Sequence, residues 1–488
     1  MSTYLLERAL IGSEVRSDVL VTVEDGRFVG VDAGVEGVAG DAAAGGAAPP
    51  AGAGGPAGGS AGSPHGRQAQ PRSAPFPVPD LPAWGAVPRA DIKRVAGLTL
   101  PGLANCHSHA FHRALRGRTQ TGQGTFWTWR EHMYAAAERL DPDTYFELAV
   151  ATYREMRCAG ITAVGEFHYL RHQRGGTPYD EPNAMALALI EAAREAGIRI
   201  ALLDAAYLRA GFGDAEPHPA QSRFFGPDLD RWRAQSRQLN GNGPGVVIGT
   251  AIHSVRAVPR EHLAEVAEVR PEAPLHVHLS EQVAENEDCL AAHGVTPTQL
   301  LADAGVLGPR TSAVHATHLT DKDVRLLGES GTYACFCPTT ERDLGDGIGP
   351  SRQLYAAGSR LTLGSDSHAV IDPFEEMRAV ELDERLATQR RGHWTAADLL
   401  AAATTDGHAS LGFPDAGRIE VGARADLVVL DTATVRTAGT GAGGETAVFA
   451  ATAEDVARVM VDGRWHDTRG ERPEVGRALA AATDRMWT

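Results

Sequence analysis

Gly97-Leu98-Thr99-Leu100-Pro101-Gly102-Leu103-Ala104 leads into His107-Ser108-His109, and about 260 residues later Arg360-Leu361-Thr362-Leu363 leads into Gly364-Ser365-Asp366-Ser367-His368. Each apolar run reads as a strand that ends in metal-binding side chains. On a strand, residues i and i+2 point to one face, so His107 and His109 can reach a single point in space. Two imidazoles at one strand end and an aspartate at a later one are the parts of a catalytic zinc site at the mouth of a barrel.

Around these stretches the chain offers eight strand candidates, ending near His109, His168, Tyr207, His253, Glu281, His318, Pro338 and His368. Helix-compatible segments such as 143–157 and 183–196 fall between them. Eight strand–helix alternations over roughly 270 residues have the size and rhythm of a (β/α)8 barrel, an α/β fold. Both chain ends are instead β-rich. Runs 14–23 and 26–31 flank Glu24-Asp25 as a hairpin, and runs 425–430 and 456–464 read the same way. The two ends are expected to meet in one small β-sandwich domain. Its parts are 1–33, 90–99 and 413–488, with the barrel over 100–412. Residues 34–89 are mostly Gly, Ala, Pro and Ser, too poor in large apolar side chains to offset ordering entropy, and read as a disordered insertion.

A net charge of −16 argues against nucleic acid or an anionic membrane as partner. No apolar stretch approaches the ~18 residues that a transmembrane helix requires, and the first residues lack a signal-peptide pattern. Five scattered cysteines do not suggest a disulfide framework. A cytoplasmic protein is expected. Cys335-Phe336-Cys337 has strand spacing and no second cysteine pair, so it reads as small side chains packed inside the barrel.

The candidate metal ligands are His107, His109, His278 and Asp366, each at a predicted strand end. Glu281, three residues past His278, can return over the metal as the strand gives way to loop, which suits general acid/base work. His315 would face the reacting atom from the next strand, orienting the attacking water and stabilising developing charge. His276 is two residues deeper than His278 and reads as a buried hydrogen-bonding residue; His318 reads as an outer residue. Only two lysines occur, Lys93 before the first barrel strand and Lys322 after the sixth. Two-metal barrels of this architecture bridge their ions with a carboxylated lysine, so a single divalent metal is expected: Zn2+, or Fe2+, since imidazole suits both.

The chain resembles the amidohydrolase superfamily of metal-dependent deaminases. The His-X-His pair, His278-X-X-Glu281, His315 and Ser365-Asp366 are shared superfamily-wide. Phe126-Trp127-Thr128-Trp129-Arg130, Gly165-Glu166-Phe167-His168-Tyr169, His253-Ser254-Val255-Arg256 and Cys337-Pro338-Thr339-Thr340-Glu341 resemble its formimidoylglutamate deiminase subgroup. The resemblance implies hydrolysis of N-formimidoyl-L-glutamate to N-formyl-L-glutamate and ammonia, a step of histidine degradation. Asp366 would take the proton of the attacking water, His315 would orient it, and Glu281 would deliver protons to the leaving nitrogen. Two substrate carboxylates need cationic partners, for which Arg130 and Arg256 fit, with Tyr169 and His253 in support. His112 stands where the subgroup usually carries a substrate-contacting glutamine. The expected partner is a small dicarboxylate, and the expected assembly a homodimer. A nucleobase or thioether-nucleoside deaminase and a non-catalytic barrel scaffold are the competing readings.

Overall fold

The computed structural model describes residues 1–34, 91–120, 126–213, 215–226, 228–241, 243–441 and 443–487. The insertion read at 34–89 lies, apart from Gly34, outside the described residues.

Three N-terminal strands open the chain: β1 (Ser2–Ile11), β2 (Glu14–Glu24) and β3 (Arg27–Asp32). The expected hairpin is present. Asp25 and Gly26 turn between β2 and β3 with φ of 46° and 77°, the left-handed pair that matches strand twist. After the insertion, β4 (Ile92–Pro101) runs parallel to β1. Its far half, Leu98 to Pro101, pairs antiparallel with β13 (Leu427–Leu430). A bulge lets β4 serve both partners: at Gly97, φ is 98° and a Cβ would lie 2.2 Å from the carbonyl oxygen of Leu430. With β14 (Val456–Val461) and β15 (Arg464–His466) the order is β15-β14-β13-β4-β1-β2-β3. The two chain ends thus build one seven-stranded mixed sheet with its own core of Leu6, Val21, Phe28, Val95, Leu427 and Met460.

From β4 the chain passes through Gly102 into the barrel strands: β5 (Leu103–Ser108), β6 (Ile161–His168), β7 (Arg199–Ala206), β8 (Val246–Ile252), β9 (Leu275–Leu279), β10 (Thr311–His315), β11 (Tyr333–Phe336) and β12 (Leu361–Leu363). All are parallel, and each pairs with its sequence neighbours. A bridge between Ser108 and Asp366 joins the last strand to the first. Near-continuous burial along β5, β6, β7 and β9 is what helices on the outside and side chains on the inside require.

Small residues fill the barrel interior: Ala104, Cys106, Ala163, Ala201, Val314, Cys335 and Cys337 pack there with Leu411 and Phe413. Cys335 and Cys337 are therefore interior packing residues, and all five cysteines are free thiols. Arg199, at the start of β7, binds both Asp426 and Asp462 and ties the barrel to the seven-stranded sheet. The last helix, Thr468–Trp487, lies on helix Pro142–Cys158, with Val475 and Leu479 against Ala151 and Cys158. Among the described residues no helix is long and apolar enough to cross a membrane.

Candidate active site

At the C-terminal mouth of the barrel, one ligand atom from each of His107, His109, His278 and Asp366 lies within 4.8 Å of all the others. Asp366 Oδ1 is 3.3 Å from the Nε2 of both His107 and His109, and His107 Nε2 is 3.1 Å from His278 Nε2. Donors about 2.1 Å from a tetrahedral ion sit about 3.4 Å apart, so the four residues fit one such ion. Their ring orientation is fixed from behind. His109 Nδ1 donates to the Phe167 carbonyl at 2.9 Å, and His278 Nδ1 to the His253 carbonyl at 2.8 Å, leaving both Nε2 lone pairs for the site. Burial, above all, holds the pKa of all three imidazoles down. Burial works against the Asp366 anion, but the bond from His107 and the surrounding imidazoles pull its pKa well below the usual range. Neutral histidines and a carboxylate are the protonation states that metal binding needs.

The strand ends that carry these ligands are held by buried polar groups. Glu166 accepts from Ser108 Oγ and from the Ala110 amide, both at 2.7 Å, which fixes the His-X-His segment. Asn105 donates to Ser365 Oγ at 2.7 Å and accepts from the Ser365 amide at 2.9 Å. These bonds lock the Ser365-Asp366 turn onto β5. At Gly364 a Cβ would lie 2.7 Å from the Cβ of His107, so only glycine lets the two segments come this close. Past it Asp366 takes a φ of 39° and His368 one of 57°. Such left-handed non-glycine residues cost on the order of 1–3 kcal/mol each and persist where the surroundings over-determine them.

His315 ends β10 with a φ of 68°. Its Nδ1 lies 3.3 Å from Glu341 Oε1, and its Nε2 lies 3.9 Å from both Glu281 Oε1 and Asp366 Oδ2. Burial opposes its charge, but Glu281, Glu341 and Asp366 together raise its pKa well above the usual value. Glu341 is itself anchored, accepting from the Cys337 amide at 2.8 Å. Burial pushes the Glu281 pKa up, with the charge of Asp366 adding to the shift, which suits a group that must carry a proton.

A cavity of about 710 Å³, open at its mouth, sits over the ligands. His109, His278, Asp366, Glu281 and His315 form its metal side. His112, Arg130, Tyr169, His253 and Arg256 all line it as well, so every residue singled out for the substrate reaches one space. Arg256 sits on the loop after β8, whose carbonyls at Val255 and Arg256 are held by Arg209. Its buried Nε finds no partner among the described residues. Arg130 lies over the ring of Tyr134, 5.1 Å from the centroid. His112 Nε2 is 3.2 Å from Tyr169 Oη. His318 turns away and bonds the Asp346 carbonyl, and His276 is fully buried below the site. The sequence reading assigned no role to Glu341, Glu166 or Asn105. Glu166 and Glu341 lie within Gly165-Glu166-Phe167-His168-Tyr169 and Cys337-Pro338-Thr339-Thr340-Glu341, and the place of Glu341 four residues after Cys337, at a helix start, is the signal that marks it.

Residues 98–466 match the model of the Amidohydrolase family. The chain belongs to that family. This amidohydrolase is 38% identical over 403 residues to formimidoylglutamate deiminase of Pseudomonas aeruginosa, covering 79% of this chain and 87% of that one. A crystal structure of an amidohydrolase from Brucella melitensis superposes with a TM-score of 0.83 at 29% identity, over the full length of both chains. An adenosine deaminase from Xanthomonas campestris with bound zinc shares the fold, with a TM-score of 0.74 at 21% identity over 98% of each chain.

Proposed function

We propose that this amidohydrolase hydrolyses the formimino group of N-formimidoyl-L-glutamate, giving N-formyl-L-glutamate and ammonia. The observation that carries the reading is the pair Arg130 and Arg256 on the wall of the cavity that opens onto the four metal ligands. A substrate with two carboxylates and one amidine carbon matches two guanidinium groups and one hydrolytic centre. The 38% identical relative named for this reaction supports the same choice.

His107, His109, His278 and Asp366 would hold one divalent ion, with Zn2+ the first choice for three imidazoles and a carboxylate. When bound, the ion supplies water that is a competent nucleophile at neutral pH. The remaining steps belong to the chain. Asp366 keeps Oδ2 on the His315 side, where it can take a proton from the attacking water. His315, held cationic between Glu341 and Glu281, faces the negative charge that develops as water adds to the amidine carbon. Glu281 carries the proton that the leaving nitrogen needs. The C–N bond to that nitrogen breaks, ammonia departs, and the carbonyl of the formyl group remains. Arg256 and Arg130 hold the glutamate carboxylates, while Tyr169, His253 and His112 contribute hydrogen bonds.

Trp129, Tyr134, Tyr207 and Phe224 also line the cavity and give a second reading, a nucleobase or nucleoside deaminase. A neutral base offers Arg130 and Arg256 no carboxylate to bind, which favours the first reading. Ammonia release from formimidoylglutamate, measured beside adenosine and guanine, decides between them. Activity on a purine and none on formimidoylglutamate would remove the proposal.

A further inference from the structure

A second cavity, of about 510 Å³ including its mouth, lies behind the wall of the first, and Tyr207 and Phe224 line both. None of the four metal ligands, and neither Arg130 nor Arg256, lines it. Its walls also include Arg171, His172, Arg231 and Trp232, together with one acid, Asp228. Arg171, His172 and Trp232 are at most 6% exposed. Each nevertheless has a buried nitrogen with no partner among the described residues: Nε of Arg171, Nδ1 of His172 and Nε1 of Trp232. The arginine and tryptophan nitrogens can only donate. Buried donors without an acceptor, on side chains that line one cavity, are rare in native proteins and mark a place where an acceptor belongs.

The charge around the cavity has the matching sign. Arg171 is paired with Asp204, and Asp228 caps the helix Leu229–Gln238 by accepting from the Asp230 and Arg231 amides. Two cations stand beyond those two acids. Arg231 is exposed at the rim, and the fully buried Arg223 gives its guanidinium to the carbonyls of Ala137, Leu140 and His172. The imidazole of His172 responds to this field. Burial first, then Arg171, Arg231 and Arg223, push its pKa down to about 4.

We propose that this cavity is a binding site for a small oxyanion, held by the N–H groups of Arg171 and Trp232 with Arg231 closing the rim. The shared chemistry is an anionic oxygen centre, a carboxylate or inorganic phosphate, against the aromatic wall of Tyr207 and Phe224. The site is separate from the metal centre and does not depend on which substrate that centre takes.

The test uses the metal-loaded, full-length protein at constant ionic strength, titrated with sodium phosphate and separately with sodium acetate. Tryptophan fluorescence and the melting temperature are followed together. A saturable fluorescence change is expected with at least one probe, with a rise in melting temperature that follows the same half-saturation. Saturation by phosphate alone assigns a tetrahedral anion, and by acetate alone a carboxylate. Arg231→Gln, an exposed change, should raise the half-saturation about fivefold or more through the lost charge. Trp232→Phe should abolish the thermal shift while turnover of the metal centre continues. A response linear in both probes, or a half-saturation unchanged in Arg231→Gln, would overturn the proposal even if Trp232→Phe failed to fold.

Discussion

The Nε2 atoms of His107 and His278 face each other at 3.1 Å. His278 donates through Nδ1 to the His253 carbonyl, so its Nε2 carries a lone pair. His107 Nδ1 is buried without a partner among the described residues. Two imidazoles so placed need something positive between them, a proton or a cation.

Metal removal should therefore cost stability as well as activity. Dialysis against a chelator is expected to abolish turnover and lower the melting temperature by about 5 °C or more, the scale of a tightly bound ligand withdrawn from the folded state. One equivalent of Zn2+ per chain should restore both. Restoration that required two equivalents would contradict the one-ion site; calorimetric melting with elemental analysis reads the result.

Arg256→Met should lower kcat/KM on formimidoylglutamate by about 100-fold, or about 2.7 kcal/mol, as expected when a charged group loses its partner. A substrate analogue with one carboxylate should lose much less. Equal losses on both would show that Arg256 supports the loop and does not read the substrate.

Glu341→Gln keeps an oxygen for His315 Nδ1 and the Cys337 amide while removing the charge. The expected result is a fall in kcat of about 10- to 100-fold with KM within about threefold, because the imidazole loses the anion that favours its cationic form. Metal content should stay at the wild-type level. Unchanged kcat, measured by steady-state ammonia release, would limit Glu341 to capping its helix.

Arg199→Met would leave the Asp426 carboxylate buried without its guanidinium. Breaking a buried pair in this way costs about 3–5 kcal/mol, so a clear drop in the thermal midpoint is expected. Metal content and room-temperature turnover should persist, since the pair lies at the opposite end of β7 from the site. A midpoint within a degree of wild type would show that the small sheet docks by other means.

Much of the barrel was legible because alternation on a strand is local. The expected ends at His168, Tyr207 and His253 fall within one residue of the strand ends at His168, Ala206 and Ile252. The last strand differs: β12 stops at Leu363, five residues before the expected His368. The close approach at Gly364 and the left-handed turn at Asp366 end the ladder there, and both arise from packing against β5. The His-X-His pair and Asp366 could be read as ligands from type and position alone. The hold of Glu341 on His315, and of Asn105 on Ser365, joins residues 26 and 260 positions apart and leaves no local pattern. The helix Thr468–Trp487 was also unread. Gly470, Pro473 and Gly476 weaken its propensity, and its packing on Pro142–Cys158 outweighs them.

The barrel closes where Ser108 meets Asp366, beside backbone bonds from the Ser365 and Asp366 amides to the His107 carbonyl at 3.1 and 3.0 Å. Asp366 is thus both a metal ligand and part of the seam between the first and last staves. An ion shared by His107, His109 and Asp366 is a clasp across that seam, fastening segments that are almost the whole barrel apart in sequence. Parting the ring at this seam would require the clasp to open first. The ion that equips the site for chemistry would then also govern how slowly the barrel comes undone.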